Sequence, residues 1–133
     1  MKFATWNVNG IRARQVQLLD WVAAERPDVV CLQEVKASPE QVPDRVRDLD
    51  GYWCGWHAEG GYSGVALLVS KAFAPDRPAF TSPGFDFEHR ILTARVPGLT
   101  VASVYVPNGG KDFQAKMRFI QGLDQFEIGR AHV

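Results

Sequence analysis

The stretch from Asp28 to Glu34 constrains the fold of this chain more than any other. It follows Pro27, runs through four apolar residues and ends at Gln33 and Glu34. A short, uninterrupted apolar run is typical of a strand that is buried on both faces of its sheet. Ligand sites in α/β sheets gather outside the carboxyl ends of such strands. Glu34 lies at such an end and is therefore the first candidate for a functional residue.

The segment before this strand predicts a strand–helix–strand unit. Residues 2–8 alternate between two faces as a strand does, and Asn9-Gly10 is a turn signal. Residues 12–26 have apolar side chains at helical spacing, and Pro27 ends the helix. The apolar face predicted for this helix holds Val16, Leu19 and Ala23, with Leu18 and Val22 beside it.

Most of the remaining chain is predicted to be strand, over 52–58, 64–69, 91–96 and 100–106. The Pro97-Gly98 turn pairs the last two of these strands as a hairpin. A short helix is predicted over 43–49, after a capping turn at 38–41. A longer helix is predicted over 111–126, with Phe113, Met117 and Ile120 on one stripe.

These elements predict an α/β fold with one mixed sheet and helices on one face. The strands carry apolar residues on both faces, yet only two substantial helices are available to cover them. The other face of the sheet therefore needs a partner, because each layer must bury its apolar side. We expect the chain by itself to self-associate through that face.

Composition indicates a single ordinary globular domain, with 133 residues, 46% hydrophobic and 23% charged. Fifteen basic and fifteen acidic residues give a net charge of zero, which neither indicates nor excludes a nucleic-acid partner. The two cysteines, Cys31 and Cys54, form no metal motif and favour a reducing compartment. With no signal peptide or membrane-spanning run in the sequence, we expect no membrane partner and a cytoplasmic location of the bacterial type.

Oxygen-bearing residues at two strand ends are the candidates for a metal site. Mg²⁺ prefers oxygen ligands, commonly one or two carboxylates with several waters. Glu34 suits that preference, and Asn7 could supply a neutral oxygen or orient Glu34. The alternatives are a strand-end carboxylate that caps the next loop and, for Asn7, a turn residue before Asn9-Gly10.

Three further residues are candidates for binding a phosphate. Tyr105 ends an apolar strand and could donate a hydrogen bond or a proton to a phosphate oxygen, and Asn108 could donate to the same group. Arg90 could act as a forked donor. The alternatives are a core tyrosine with its hydroxyl at the rim and a solvated arginine.

The remaining polar features are less specific. The glycine-rich loop over 60–64 lacks the spacing of a phosphate-binding loop and is by itself a turn before a strand. His57 and His89 have no carboxylate partner that the sequence reveals, so they are assigned no role.

Five segments taken together are far more specific than any of them singly. In chain order they are Thr5-Trp6-Asn7-Val8-Asn9-Gly10-Ile11-Arg12-Ala13, Leu32-Gln33-Glu34-Val35-Lys36, Gly61-Tyr62-Ser63-Gly64-Val65-Ala66-Leu67-Leu68, Arg90-Ile91 and Tyr105-Val106-Pro107-Asn108-Gly109-Gly110. This series resembles the amino-terminal half of an exonuclease III-type AP endonuclease, within the endonuclease/exonuclease/phosphatase superfamily. The Asn9–Ala13 piece favours the DNA-repair branch over the phosphoinositide phosphatases.

The resemblance implies a four-layer α/β/β/α sandwich, of which this chain would supply one sheet and its helices. It also implies Mg²⁺- or Mn²⁺-dependent hydrolysis of phosphodiesters in double-stranded DNA, at abasic sites or 3′ ends, in base-excision repair. The metal residues are then Glu34 and Asn7, and the catalytic contact to the scissile phosphate is Tyr105. The substrate-binding residues are Asn108, Arg90, Tyr62 and Gly64.

The chain also departs from the family pattern. The Gly-Asp-X-Asn segment that carries the general base is missing, as is the terminal Ser-Asp-His segment. Residues 127–133 match the translation of a common short-read sequencing adapter. We therefore predict a partial domain over 1–126 and a non-native tail over 127–133, with a full-length monomer and an inactive fragment. The alternatives are a non-catalytic fragment or another phosphodiesterase or phosphatase of the superfamily.

Overall fold

The computed structural model describes residues 1–86, 88–107, 110 and 113–131. In this part of the chain the strands are β1 (Phe3–Asn7), β2 (Val29–Gln33), β3 (Tyr52–Glu59), β4 (Tyr62–Ser70), β5 (Phe80–Thr81), β6 (Ile91–Val96) and β7 (Leu99–Val104). The helices are α1 (Ile11–Glu25), α2 (Asp44–Arg47) and α3 (Phe113–Ala131), with a 3₁₀ turn over Pro39–Gln41. The predicted strands and helices are thus confirmed, with shifted ends.

The first sheet has four strands in the order β1-β2-β4-β3. β1 and β2 are parallel because α1 connects them as a crossover, with Asn7 opposite Gln33. β4 runs antiparallel to both β2 and β3. The sheet is therefore mixed, and the predicted α/β class is confirmed.

The strands form two sheets, however, where the sequence predicted one. β5, β6 and β7 make a separate antiparallel sheet in that order, with the β6–β7 hairpin turning at Pro97-Gly98. This sheet packs on the face of the first sheet that lies opposite α1. The partner expected for that face is thus supplied, over β2 and β4, by the chain itself.

Two apolar layers result, one on each face of the first sheet. Between the sheet and the helices lie side chains that include Ile11, Leu18, Val30, Leu32 and Leu68. Between the two sheets lie side chains that include Val29, Leu67, Val69, Leu92 and Ala94. Alternate residues of β2 and β4 enter opposite layers, which is why these strands are apolar throughout.

The inner face predicted for α1 is only partly right, since Leu18 and Val22, expected beside that face, are at its centre. Val16 is 65% exposed, whereas Ile11, Leu18 and Val22 are the buried residues of the helix. These three lie seven and four residues apart and so share a face that is rotated from the predicted one. The helix ends where Arg26 adopts a φ of +45° and its N–H donates to the carbonyl of Val22 at 2.9 Å.

The stripe predicted for α3 also differs from the structure. Met117 and Ile120 are exposed, and Phe119 is the buried residue, packed edge-on against Phe85 at 5.9 Å between ring centroids. The side chain of Phe113 lies outside the described residues. Within the described part of the chain, no helix is long and apolar enough to cross a membrane.

Candidate nuclease site

The carboxyl ends of β1 and β2 meet at one edge of the first sheet. Their parallel pairing continues past both strands, where the N–H of Val8 donates to the carbonyl of Gln33 at 3.0 Å. The N–H of Gly10 then donates to the carbonyl of Glu34 at 2.8 Å. Backbone hydrogen bonds thus fix Glu34 beside the turn that follows Asn7.

Tyr105 meets Glu34 across the gap between the two sheets. Its hydroxyl donates to Oε1 of Glu34 at 2.6 Å. Below this contact, Nε2 of Gln33 donates to the hydroxyl of Ser103 at 3.1 Å, and that hydroxyl donates to the carbonyl of Leu32 at 3.0 Å. These buried bonds hold β7 over β2 and so bring Tyr105 to Glu34.

The environment of Tyr105 keeps its hydroxyl protonated. The hydrogen bond to Glu34 raises the pKa of the phenol above its ordinary value, burial adds to this, and the nearby Arg90 opposes it. A phenol with a raised pKa stays protonated at neutral pH and therefore acts as a hydrogen-bond donor. This fits the predicted role of Tyr105 toward a phosphate oxygen.

Arg90 connects two tyrosines. Its guanidinium donates to the hydroxyl of Tyr62 at 2.7 Å and to the carbonyl of Tyr105 at 3.4 Å. It lies 4.9 Å from the ring centre of Tyr105 and 5.5 Å from that of Tyr62, within the range of cation–π attraction. Arg90 is only 3% exposed, so it is not the solvated arginine that was the alternative interpretation.

The segment expected to be a glycine-rich loop is in the structure the turn at Gly60-Gly61 and the start of β4, which presents Tyr62 to solvent while Arg90 holds its hydroxyl. Tyr62 is 56% exposed. Gly64 has a φ of +93°, and a Cβ at this position would lie 2.9 Å from the Cβ of Ala58 and 3.2 Å from that of Val35. Its carbonyl accepts the N–H of Val35 at 3.0 Å, which ties the start of β4 to the segment after Glu34. Gly64 therefore shapes the site through its backbone.

Asn7 lies at the same edge but has a local partner. Its Oδ1 accepts the N–H of Asn9 at 3.1 Å, as the turn interpretation expected. An amide oxygen has a second lone pair, so this bond leaves an acceptor site on Asn7. Asn108 lies outside the described residues.

The oxygen donors at this edge fit a hard divalent cation that keeps most of its ligands as water or substrate. Glu34 supplies one carboxylate and Asn7 one amide oxygen, which is a common protein contribution to Mg²⁺ binding. Among the described residues, no group of three or more His, Cys, Asp or Glu side chains is placed to hold a metal by itself.

A buried carboxylate behind Arg90 was missed by sequence reasoning. The side chain of Asp86 is 0% exposed, and Oδ2 lies 2.8 Å from Nε2 of His57. Asp86 also accepts the backbone N–H groups of Arg90 at 2.8 Å and Ile91 at 2.9 Å. Burial disfavours the charge, but these bonds and one from Ser82 lower the pKa of Asp86 to about 2. The closeness of Asp86 to Arg90 in sequence was the available signal.

The two histidines have partners after all. Their rings lie 4.7 Å apart, and Nε2 of His89 lies 3.6 Å from Oε2 of Glu59. His57 is in β3, and no sequence spacing relates it to Asp86, because the two residues meet only when the sheets pack.

Comparison with known proteins identifies the family of the chain. The sequence matches the Endonuclease/Exonuclease/phosphatase family over residues 4–132. It is 35% identical to exodeoxyribonuclease III of Haemophilus influenzae, an alignment that covers 95% of this chain and 51% of that protein. It is also 35% identical to the DNA repair nuclease APEX1 of Danio rerio, with 84% of this chain and 37% of that protein covered.

Solved structures give the same result. The 3′-5′ exonuclease NExo from Neisseria meningitidis superposes with a TM-score of 0.85 at 30% identity, covering 99% of this chain and 53% of that one. An AP endonuclease from Archaeoglobus fulgidus superposes with a TM-score of 0.78 at 29% identity, covering 92% of this chain and 49% of that one.

The chain is a member of the endonuclease/exonuclease/phosphatase family. Its resemblance to the exonuclease III-type AP endonucleases, a family of hydrolytic DNA nucleases, is confirmed. The chain spans about half or less of the length of the relatives named above.

Proposed function

We propose that this chain carries the cation-holding and phosphate-binding part of a DNA-repair nuclease that hydrolyses phosphodiesters at abasic sites or 3′ ends. The observation that carries the proposal is the continuous set of contacts from Glu34 through Tyr105 and Arg90 to Tyr62. These contacts place one carboxylate and two phenols at the carboxyl edge of the first sheet, where a phosphate and a metal can be bound side by side.

The relatives support DNA as the substrate. One solved neighbour is a 3′ phosphatase NExo from Neisseria bound to a product DNA hairpin. In this chain, Lys36 and Arg12 lie beside the site, since Lys36 donates to Asn9 at 2.7 Å and Arg12 donates to the carbonyl of Lys36 at 3.3 Å. Such cations suit the backbone phosphates of a duplex.

Glu34 and Asn7 would hold the divalent cation, Mg²⁺ or Mn²⁺. A bound cation of this kind supplies Lewis-acid polarisation of a phosphate and orients an attacking water. The protonated hydroxyl of Tyr105 donates to a phosphate oxygen, or passes its proton to it, when the phosphate replaces Glu34 as its acceptor. Arg90 keeps the phenols of Tyr62 and Tyr105 on the same side of the site.

A binding assay tests the phosphate-binding role. A fluorescent duplex with one abasic-site analogue, titrated with the chain in Mg²⁺, should give an anisotropy increase that weakens at higher salt. Tyr105→Phe should weaken binding by about tenfold, the loss of one charge-assisted hydrogen bond. Tyr52→Phe is the matched control, because the Tyr52 hydroxyl donates to the carbonyl of Pro27 at 2.7 Å, remote from the site. Equal effects of the two variants would contradict the proposal.

A nicking assay tests catalysis separately. We expect little or no cleavage of plasmid DNA with abasic sites in Mg²⁺, because the chain has no counterpart of the family's general base. Efficient cleavage that disappears in Glu34→Ala would show that the expected inactivity is wrong while supporting the nuclease assignment. Mg²⁺ binding measured by calorimetry should be lost in Glu34→Gln.

A further inference from the structure

Hydrogen bonds on both sides of Arg90 hold its backbone in place. Asp86 accepts the N–H groups of Arg90 and Ile91, as described above. The carbonyl of His89 accepts the N–H of Gly64 and the hydroxyl of Ser63, each at 3.2 Å. The backbone of Arg90 is therefore fixed relative to β6 and to the start of β4, which carries Tyr62.

The carboxylate of Asp86 is itself held by His57 of β3 and by Ser82, which follows β5. Nε2 of His57 lies 2.8 Å from Oδ2 of Asp86, and the hydroxyl of Ser82 donates to the same oxygen at 3.0 Å. Because Asp86 is ionised, the tautomer of His57 that carries its proton on Nε2 is the one that fits. A fully buried carboxylate with four hydrogen-bond donors has a single accessible position.

Arg90 in turn has little freedom of its own. Its side chain is 4% exposed, and its Nε lies 3.3 Å from Oε1 of Glu88. A shift of the Arg90 backbone would therefore move the guanidinium away from the hydroxyl of Tyr62 and from Tyr105 together.

We propose that Asp86, held by His57, is a positioning residue that sets Arg90 and, through Arg90, the two phenols of the phosphate-binding site. This inference rests on the proposed function for its consequence in DNA binding, but the position of Arg90 can be measured without DNA. His57 has a part in the same arrangement, so that β3, which pairs with the strand that carries Tyr62, contributes to the site through Asp86.

The position of Arg90 is read by NMR on the free chain. The Arg90 Nε–Hε signal, assigned with Arg90→Lys, should be protected from solvent exchange and show Overhauser contacts to the rings of Tyr62 and Tyr105. Asp86→Asn should lose both features, since the amide nitrogen cannot accept the N–H groups of Ile91 and His57. Asp44→Asn is the control for charge, because Asp44 is an exposed partner of Arg47. Unchanged Arg90 signals in folded Asp86→Asn would overturn the proposal.

A matched pair of variants at His57 tests the same positioning of Arg90 without changing Asp86. His57→Gln keeps an N–H donor near the position of Nε2 and should keep the Arg90 contacts. His57→Phe removes the donor and should reduce them. Equal spectra for the two variants would overturn the part assigned to His57, and this pair also covers the case in which Asp86→Asn does not fold.

A double-mutant cycle in DNA binding separates positioning from general destabilisation. Asp86→Asn should weaken binding of the abasic duplex by about tenfold in the wild-type background, as expected for one lost charge-assisted bond. It should have no further effect in Arg90→Ala, because the effect passes through Arg90. Additive losses would overturn the proposal. If the wild-type chain binds no DNA, the proposed function fails, and the NMR experiment still decides the role of Asp86.

Discussion

Glu34, Lys36 and Ser63 have backbone φ values of +52°, +53° and +56°, in the left-handed region. A residue with a side chain pays about 1–2 kcal/mol for this conformation, and such residues collect at functional sites. The segment after β2, which holds Glu34 and Lys36, and the start of β4, which holds Ser63, stabilise each other. The N–H of Lys36 donates to the carbonyl of Ser63 at 2.9 Å. The conformational strain at Glu34 is thus compensated by backbone hydrogen bonds between the residues that follow it and the start of β4.

Gly64→Ala should destabilise the fold and the site together. The new Cβ would lie 2.9 Å from the Cβ of Ala58 at a φ of +93°, so the conformational cost of about 1–2 kcal/mol comes on top of a steric clash. Urea denaturation should show the loss. Gly61→Ala is the control, since a Cβ there meets nothing within 4 Å. Equal stability of Gly64→Ala and Gly61→Ala would show that the backbone at Gly64 can relax to accept a side chain.

Asp86 should make the free energy of unfolding depend on pH in the acid range. Its pKa of about 2 lies below the ordinary value of 3.8, so the folded state favours the ionised form. The stabilisation, roughly 2 kcal/mol, is therefore complete above about pH 4 and is lost as the pH falls toward 2. Urea unfolding at a series of pH values should show this slope, and Asp86→Asn should remove it. If Asp86→Asn kept the pH dependence of the wild-type chain, that dependence would come from other carboxylates.

At the scale of elements, the sequence predicted strand positions well and helix faces poorly. The apolar run of β2 and the Pro97-Gly98 hairpin depend on local patterns, and both are confirmed. The face predicted for α1 was only partly right because apolar residues occur around most of that helix, so spacing alone does not select one stripe. β5 has two residues and no periodicity that could be detected.

The true face of α1 can be tested by truncating one side chain at a time. Leu18→Ala should destabilise the chain by about 2–5 kcal/mol, because the side chain is fully buried against the first sheet. Val16→Ala removes an exposed side chain and should change the free energy of unfolding by about 0.5 kcal/mol or less. Thermal or urea unfolding measures the free energy of unfolding of both variants. Similar losses in Leu18→Ala and Val16→Ala would support the helix face predicted from the sequence.

At the scale of the whole molecule, the division of the strands into two sheets could not be predicted from local patterns. It depends on contacts such as Gln33 with Ser103, which are 70 residues apart. The same packing brings Tyr105 to Glu34, 71 residues away. Sequence reasoning named Glu34 and Tyr105 as candidates because each lies at the end of a strand, but it did not pair Asp86 with His57, whose contact exists only in the packed fold.

The second sheet covers less of the first than a complete sandwich would, and this argues for self-association. β7 lies over β2 rather than over the edge strand β1, and Phe3 on that side of β1 is 42% exposed although it packs edge-on against Phe73, with 6.1 Å between ring centroids. Exposed apolar groups beside an unpaired strand edge favour pairing with another chain. Sedimentation should therefore show concentration-dependent association, which Phe3→Lys shifts toward monomer. Val16→Lys changes a more exposed apolar side chain on α1, which is 65% exposed, and should leave the association unchanged. A wild-type chain that stays monomeric at every concentration would mean that the open face of β1 is too small to bind a second copy.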